Sequence, residues 1–116
     1  MNKEVADKWV AALRSGNYKQ GTGELKNGKG EFCCLGVLLD INGFKSKKTQ
    51  DARNTFGDNS YGAIVDLDIR KKCGIRSAHG EFVGDDGEAT FLTRLNDSGK
   101  TFNQIADIIE KHWEAL

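Results

Sequence analysis

At 116 residues, with 17 basic against 17 acidic side chains, the chain has room for one domain and no net charge to draw it to nucleic acid or to an anionic membrane. Three cysteines, two of them adjacent, are an odd set in which neighbours are poorly placed to bridge, so free thiols are expected rather than a disulfide framework. Proline is absent and glycine occurs 14 times, so turns and helix ends are written with glycine.

The chain opens on Asn2-Lys3-Glu4 and enters an amphipathic pattern without a basic-then-apolar leader, so a cytoplasmic protein is expected. Val5, Trp9, Ala12 and Leu13 share one helical face, which predicts a helix over 3–13 capped by Asn2 and followed by Gly16. Trp9 sits on that face as a core anchor, while Lys8 and Arg14 lie off it.

Residues 18–25 lose the helical period and carry Gly21 and Gly23. Asn27-Gly28 then predicts a type I′ turn, pairing 18–26 with a strand from Lys29 to Cys33 or Cys34. Gly21 and Gly23 would leave one strand face bare, for close packing or for a ligand. The longest apolar run follows, Phe32 to Leu39, which is too short to span a bilayer and belongs to the core. A strand passing into a helix at Cys33-Cys34 is expected there, stopped by Gly43. Gly36 inside that helix implies that another element packs closely against it.

Residues 44–62 are polar and read as a variable insertion anchored by Phe44, Phe56 and Tyr61. The acidic turns around Asp58 and at Asp85-Asp86-Gly87-Glu88 lack the spacing of a calcium loop. Residues 63–65 predict a short strand, Asp66 caps a helix over 67–73 closed by Gly74, and 75–83 reads as extended before a turn at 84–87. Phe91, Leu92 and Leu95 mark a helix ended by Gly99. Thr101-Phe102-Asn103-Gln104 fits a capping box opening a last helix over 102–113, with the stripe Phe102, Ile105, Ala106, Ile109 and Trp113. The sum is a single α+β domain over 1–116, a hairpin or small antiparallel sheet packed against three or more helices.

Three blocks stand out: Trp9-x-x-Ala12-Leu13-Arg14-Ser15-Gly16-x-Tyr18-x-Gln20-x-x-Gly23-x-Leu25, then Phe32-Cys33-Cys34-Leu35-Gly36-Val37-Leu38, and last Leu95-Asn96-Asp97-Ser98-Gly99-Lys100-Thr101-Phe102-x-x-Ile105-Ala106-x-x-Ile109. In order and spacing they resemble a family of small uncharacterised proteins encoded by bacteriophages and prophages. The likeness covers both ends and leaves the middle, 44–86, free. It implies a phage origin and an intracellular setting, and brings no chemistry with it.

Two chemistries compete. A cysteine on the first turn of a helix has its thiolate favoured by the helix dipole, so Cys34 with His79 as base, oriented by Asp86 or Asn96, would make a thiol hydrolase or transferase. A zinc site through Cys33, Cys73, His79 and His112 lacks ligand spacing, and no metal or cofactor is expected. The other reading is binding. Trp9 and Tyr18 offer aromatic faces, Arg14, Lys19 and Lys100 cations, Gln20 an amide, Gly21 and Gly23 open backbone, and Cys34 and Thr101 mark two helix starts suited to an anion. Asn96-Asp97-Ser98-Gly99 reads as a capped turn. The preferred expectation is a non-catalytic phage accessory protein that binds a host protein or sequesters a small anionic, nucleotide-like ligand to counter host defence. Exposed sheet edges would permit a homo-oligomer, with no heptad or apolar stripe to specify one.

Overall fold

Helix α1, Lys3–Arg14, begins where Asn2 accepts a hydrogen bond from the Val5 N–H at 2.8 Å, in a computed structural model that describes residues 1–48, 54–56, 60–61 and 65–116. Its apolar face, Ala6, Trp9, Val10 and Leu13, is buried against α5, Phe102–His112, and α2, Cys34–Ile41. Helix α2 is the centre of the core, since every residue from Cys34 to Leu39 is buried. That stretch has no solvent face, which is why it is apolar all round, and the first charged residue, Asp40, comes only in the last turn. Helices α3, Leu67–Cys73, and α4, Leu92–Asp97, pack on α2 from other sides. Strands β1, Ser46–Lys48, β2, Asn54–Phe56, and β3, Ser60–Tyr61, form one antiparallel sheet, and β4, Glu81–Val83, and β5, Ala89–Phe91, form a hairpin. The result is a small α+β domain of antiparallel strands and several helices. No helix among the described residues is long and apolar enough to cross a membrane.

The caps follow the residue types. Thr101 Oγ1 accepts the Gln104 N–H at 3.2 Å while Gln104 Oε1 accepts the Thr101 N–H at 3.0 Å, a complete capping box for α5. Helix α5 stops at His112, and Trp113 instead opens a short 3-10 turn, Trp113–Ala115. Asp66 caps α3 and Gly74 ends it in the left-handed region.

The expected hairpin between 18–26 and 29–34 does not form. Asn27 builds a longer loop, its side-chain oxygen accepting the N–H groups of Lys29 at 2.9 Å and Glu31 at 3.0 Å, and the left-handed residue is Gly30, at φ 79°, in place of the Asn27-Gly28 pair. Phe32 lies between two strands of coil instead of in a ladder, bridged to Gln20 on one side and Lys26 on the other. Cys33 is likewise no strand residue but the N-cap of α2. The polar middle, read as an insertion, contains β1, β2 and β3; of the strand expected over 63–65, residues 63 and 64 lie outside the described residues, as does most of the turn around Asp58. The turn at 84–87 is the tip of the β4–β5 hairpin, and β5 was not foreseen.

Gly36 has the close neighbour that its place in a helix implied. A Cβ built there would lie 1.9 Å from the Leu25 carbonyl oxygen and 2.7 Å from its carbon. Backbone on both sides leaves nothing flexible to yield, so Gly36→Ala is expected to cost about 3 kcal/mol or more in urea unfolding, at the upper end for overpacked cores. Gly16→Ala, in open space at φ 78°, carries only the left-handed penalty of about 1 kcal/mol. Equal losses at the two positions would refute the contact.

Candidate functional site

The residues nominated for binding or catalysis fall into three places. Trp9 and Cys34 are in the core, both 0% exposed. The indole N–H of Trp9 donates to the Cys34 carbonyl oxygen at 2.8 Å, so the ring is an anchor between α1 and α2 and offers no face to a ligand. Cys34 does stand on the first turn of a helix, yet burial outweighs the N–H groups there and holds its thiol well above the ordinary range, with the Cys33 thiol also raising it. The S–H points to the Leu92 carbonyl oxygen at 3.7 Å. No hydrogen bond joins Cys34 to His79, whose ring instead meets Phe91 edge-on at 6.1 Å. Burial likewise pushes the Cys33 and Cys73 thiols up to about 11.

A second group forms a clasp between the 18–32 segment and α4. Asn96, 1% exposed, donates to the Gly21 carbonyl at 2.8 Å and accepts from the Gln20 side chain at 2.9 Å. Gln20 also donates to the Lys100 carbonyl at 2.7 Å, and the Gly23 N–H donates to Asp97 at 3.0 Å. Gly21 has no room for a side chain, because a Cβ would come 2.8 Å from that of Glu31. Gly23 is needed for its φ of 79°. Backbone packing and turn geometry therefore account for both glycines. Thr101 is engaged as the α5 cap.

The rest are on the surface and mostly paired. Arg14 bridges α1 to Asp107 and Glu110 of α5, Lys19 meets Glu31 at 3.5 Å, and the Tyr18 hydroxyl donates to Asp40, which Lys45 reaches at 3.2 Å. Burial and then the Asp40 carboxylate push Tyr18 up to about 12. The structure thus distributes the nominated residues over core, clasp and surface without converging them on one cavity.

A cavity does exist elsewhere. An open groove of about 560 Å³ runs between the β4–β5 hairpin and helices α4 and α5. Phe82, Leu95 and Ile108 form its apolar floor, Asp85, Asp86 and Glu88 its acidic rim, and Arg94 projects from α4. Asp85 is tied to α5 by Lys111 at 2.7 Å and His112 at 3.4 Å, and its carboxyl pKa is lowered first by the Lys111 hydrogen bond and further by the charges of Lys111 and His112. The His112 ring packs on Phe82 with centroids 4.9 Å apart. Arg94 and Glu88 are both exposed, and neither side chain has a hydrogen-bond or ion-pair partner among the described residues. No group of three or more histidines, cysteines or acidic residues placed to hold a metal occurs among the described residues.

With the architecture defined, a family profile, Domain of unknown function (DUF8296), matches residues 1–113. The chain belongs to that family. No curated protein and no solved structure matches it. The DUF8296 match spans the polar middle as well as the two ends, so 44–62 lies within the family's extent.

In the sequence, the groove residues Phe82, Gly84, Asp85, Asp86, Glu88, Leu95 and His112 each carry another reading, as part of an extended stretch, an acidic turn, a helix face or a metal set, with nothing to join them. The groove's signal was faint but present: Ala89-Thr90-Phe91 alternates after a Gly-Asp-Asp-Gly turn, and Arg94 stands between Leu92 and Leu95, while the acidic residue three positions on, Asp97, accepts the Gly23 N–H instead.

Two outcomes follow from this geometry. Asn96→Ala leaves the buried Gly21 carbonyl and the Gln20 amide short of a partner, and is expected to cost about 3 kcal/mol of stability, against well under 1 kcal/mol for the exposed Asn103→Ala. The thiols give the second. In the native state Cys33 holds its proton to about 11, whereas the unfolded thiol ionises near its ordinary 9.0. The unfolded state therefore sheds the proton first, so stability contributed by this group is whole below pH 9 and declines as pH rises towards 11, by about 1.4 kcal/mol per pH unit. Urea midpoints between pH 8 and 11 should fall less steeply for Cys33→Ala than for the parent; identical slopes would contradict a buried, protonated thiol.

Proposed function

We propose that the protein is a non-catalytic phage accessory domain, in keeping with its resemblance to small uncharacterised phage proteins, and that its partner is a host protein. The observation that carries this reading is the groove, which sets Arg94 and Glu88, both unpaired among the described residues, about an apolar floor. Recognition of a protein surface uses this combination of apolar contact and dispersed charge of both signs. A nucleotide-like ligand would set its phosphates among the carboxylates of Asp85, Asp86 and Glu88, where like charge opposes it. Most residues of the expected anion site support the same choice, because Trp9, Cys34, Gln20, Gly21, Gly23, Arg14 and Lys19 are occupied in the core, the clasp and surface ion pairs. Thiol chemistry has little support from three buried cysteines held as thiols.

Native mass spectrometry of the protein purified from phage-infected bacterial cells tests this. The expected species is the chain alone or the chain with a second polypeptide, unchanged in Cys34→Ser. A retained nucleotide-sized mass would overturn the reading in favour of sequestration. A covalent adduct on the parent that is missing from Cys34→Ser would overturn it in favour of thiol catalysis.

A further inference from the structure

The two unpaired charges of the groove narrow the chemistry of what it takes. Phe82 and Thr90 are paired across the hairpin, and the Gly84 N–H donates to the Glu88 carbonyl at 2.9 Å, so these four residues share the hairpin face turned towards α4 and α5. Gly84 presents no side chain at the mouth. Leu95 and Ile108 remain half-buried there, leaving apolar surface that the fold itself does not cover. Asp85 is already engaged by Lys111 and His112, and Asp86 accepts the Glu88 N–H at 3.0 Å, which makes Glu88 the carboxylate available to a partner. Across the groove, Arg94 has a guanidinium fork whose geometry suits a carboxylate.

Uniformly charged partners are poorly matched. A polyanion that satisfied Arg94 would meet Glu88, Asp86 and Asp85, and a polycation that satisfied the rim would meet Arg94. An apolar segment without charge would bury Arg94 and Glu88 unpaired, which costs more than leaving them in water. Resting on the protein-binding reading above, we infer that the groove docks an extended segment of a protein partner that carries an acidic residue for Arg94, an apolar side chain for the Phe82, Leu95 and Ile108 floor, and a basic residue for Glu88.

Panning a random displayed-peptide library on the parent protein, on Arg94→Glu and on Glu88→Lys tests this directly. Both side chains are exposed and make no hydrogen bond or ion pair among the described residues, and thermal midpoints close to the parent value verify each variant. The parent should enrich a motif with an acidic and a basic position flanking an apolar one. Arg94→Glu should exchange the acidic position for a basic one, and Glu88→Lys the basic for an acidic. A synthetic peptide of the parent motif should bind Arg94→Glu about tenfold or more weakly, and its charge-swapped version should recover affinity. No enriched motif, a motif of one charge sign, or one that both variants leave unchanged would overturn the inference. Those results with a polypeptide still retained in native mass spectrometry would leave the binding reading standing, whereas a retained nucleotide would remove both.

Discussion

The missing side chain at Gly36 allows the backbone at Leu25 to lie directly on the central helix, and much of the remaining architecture depends on that approach. With Leu25 seated there, its carbonyl accepts the Cys33 N–H at 3.1 Å, so the same peptide group closes the loop 25–33 and braces the start of α2. Phe32 is then held between Gln20 and Lys26, its N–H on the Lys19 carbonyl and its own carbonyl on the Gly21 N–H, both at 2.8 Å. A segment with few side chains to bury is ordered in this way by backbone hydrogen bonds to its own return path, which meets the requirement that buried peptide groups find partners. Any residue larger than glycine at 36 would lift this segment off the helix. The clasp with α4 would go with it, since Gln20, Gly21 and Gly23 reach Asn96 and Asp97 only from that position.

The three sequence blocks acquire a physical meaning from these contacts. Trp9 of the first block donates to the Cys34 carbonyl of the second, and Leu25 of the first rests on Gly36 of the second. Gln20, Gly21 and Gly23 of the first are gripped by Asn96 and Asp97 of the third. The blocks therefore recognise one another. A buried asparagine that satisfies both a carbonyl and a side-chain amide is a demanding arrangement, because a half-satisfied version costs more than an apolar substitute. Chemistry that seemed to be offered by glycines, an amide and a helix start is spent on joining distant parts of the chain.

What could be read beforehand, and what could not, divides along the range of the interactions. Asn2, Thr101-Gln104, Asp66 and Gly74 act within four residues, so their caps were legible, as were the apolar faces of α1 and α5. Gly36 was legible too, because a glycine inside a helix invites the question of what it makes room for. The Asn27-Gly28 signal misled because the Asn27 side chain captured the N–H groups of Lys29 and Glu31, moving the left-handed residue to Gly30 and opening a wider loop. Cys34 misled for another reason. Its position at a helix start was correct, but the sequence does not show how completely a thiol is desolvated, and in this environment desolvation outweighs the helix terminus. The groove is built from four elements, none of which is unusual alone, and only their packing brings Arg94 opposite the hairpin.

That packing also sets how the groove is held. Its floor belongs to the core, with Phe82 5% exposed and backed by His112, and it moves only if the core moves. Its rim is fastened differently. The hairpin tip is tied to α5 by Asp85 contacts to Lys111 and His112, in which the Asp85 and Lys111 side chains are more than half exposed, and the histidine contact is an ion pair only when the imidazole is protonated. Exposed pairs of this kind are weak and screened by salt. The floor therefore supplies a constant apolar contact, while the acidic rim, at the turn joining two three-residue strands, can adjust by small shifts of residues 84–88 without disturbing Phe82, α2 or the clasp. A constant apolar base with a compliant charged edge suits recognition of an extended segment, whose side chains fix the register and whose backbone tolerates variation at the edge. The three sequence blocks lie outside the hairpin and bear on the floor through α4 and α5.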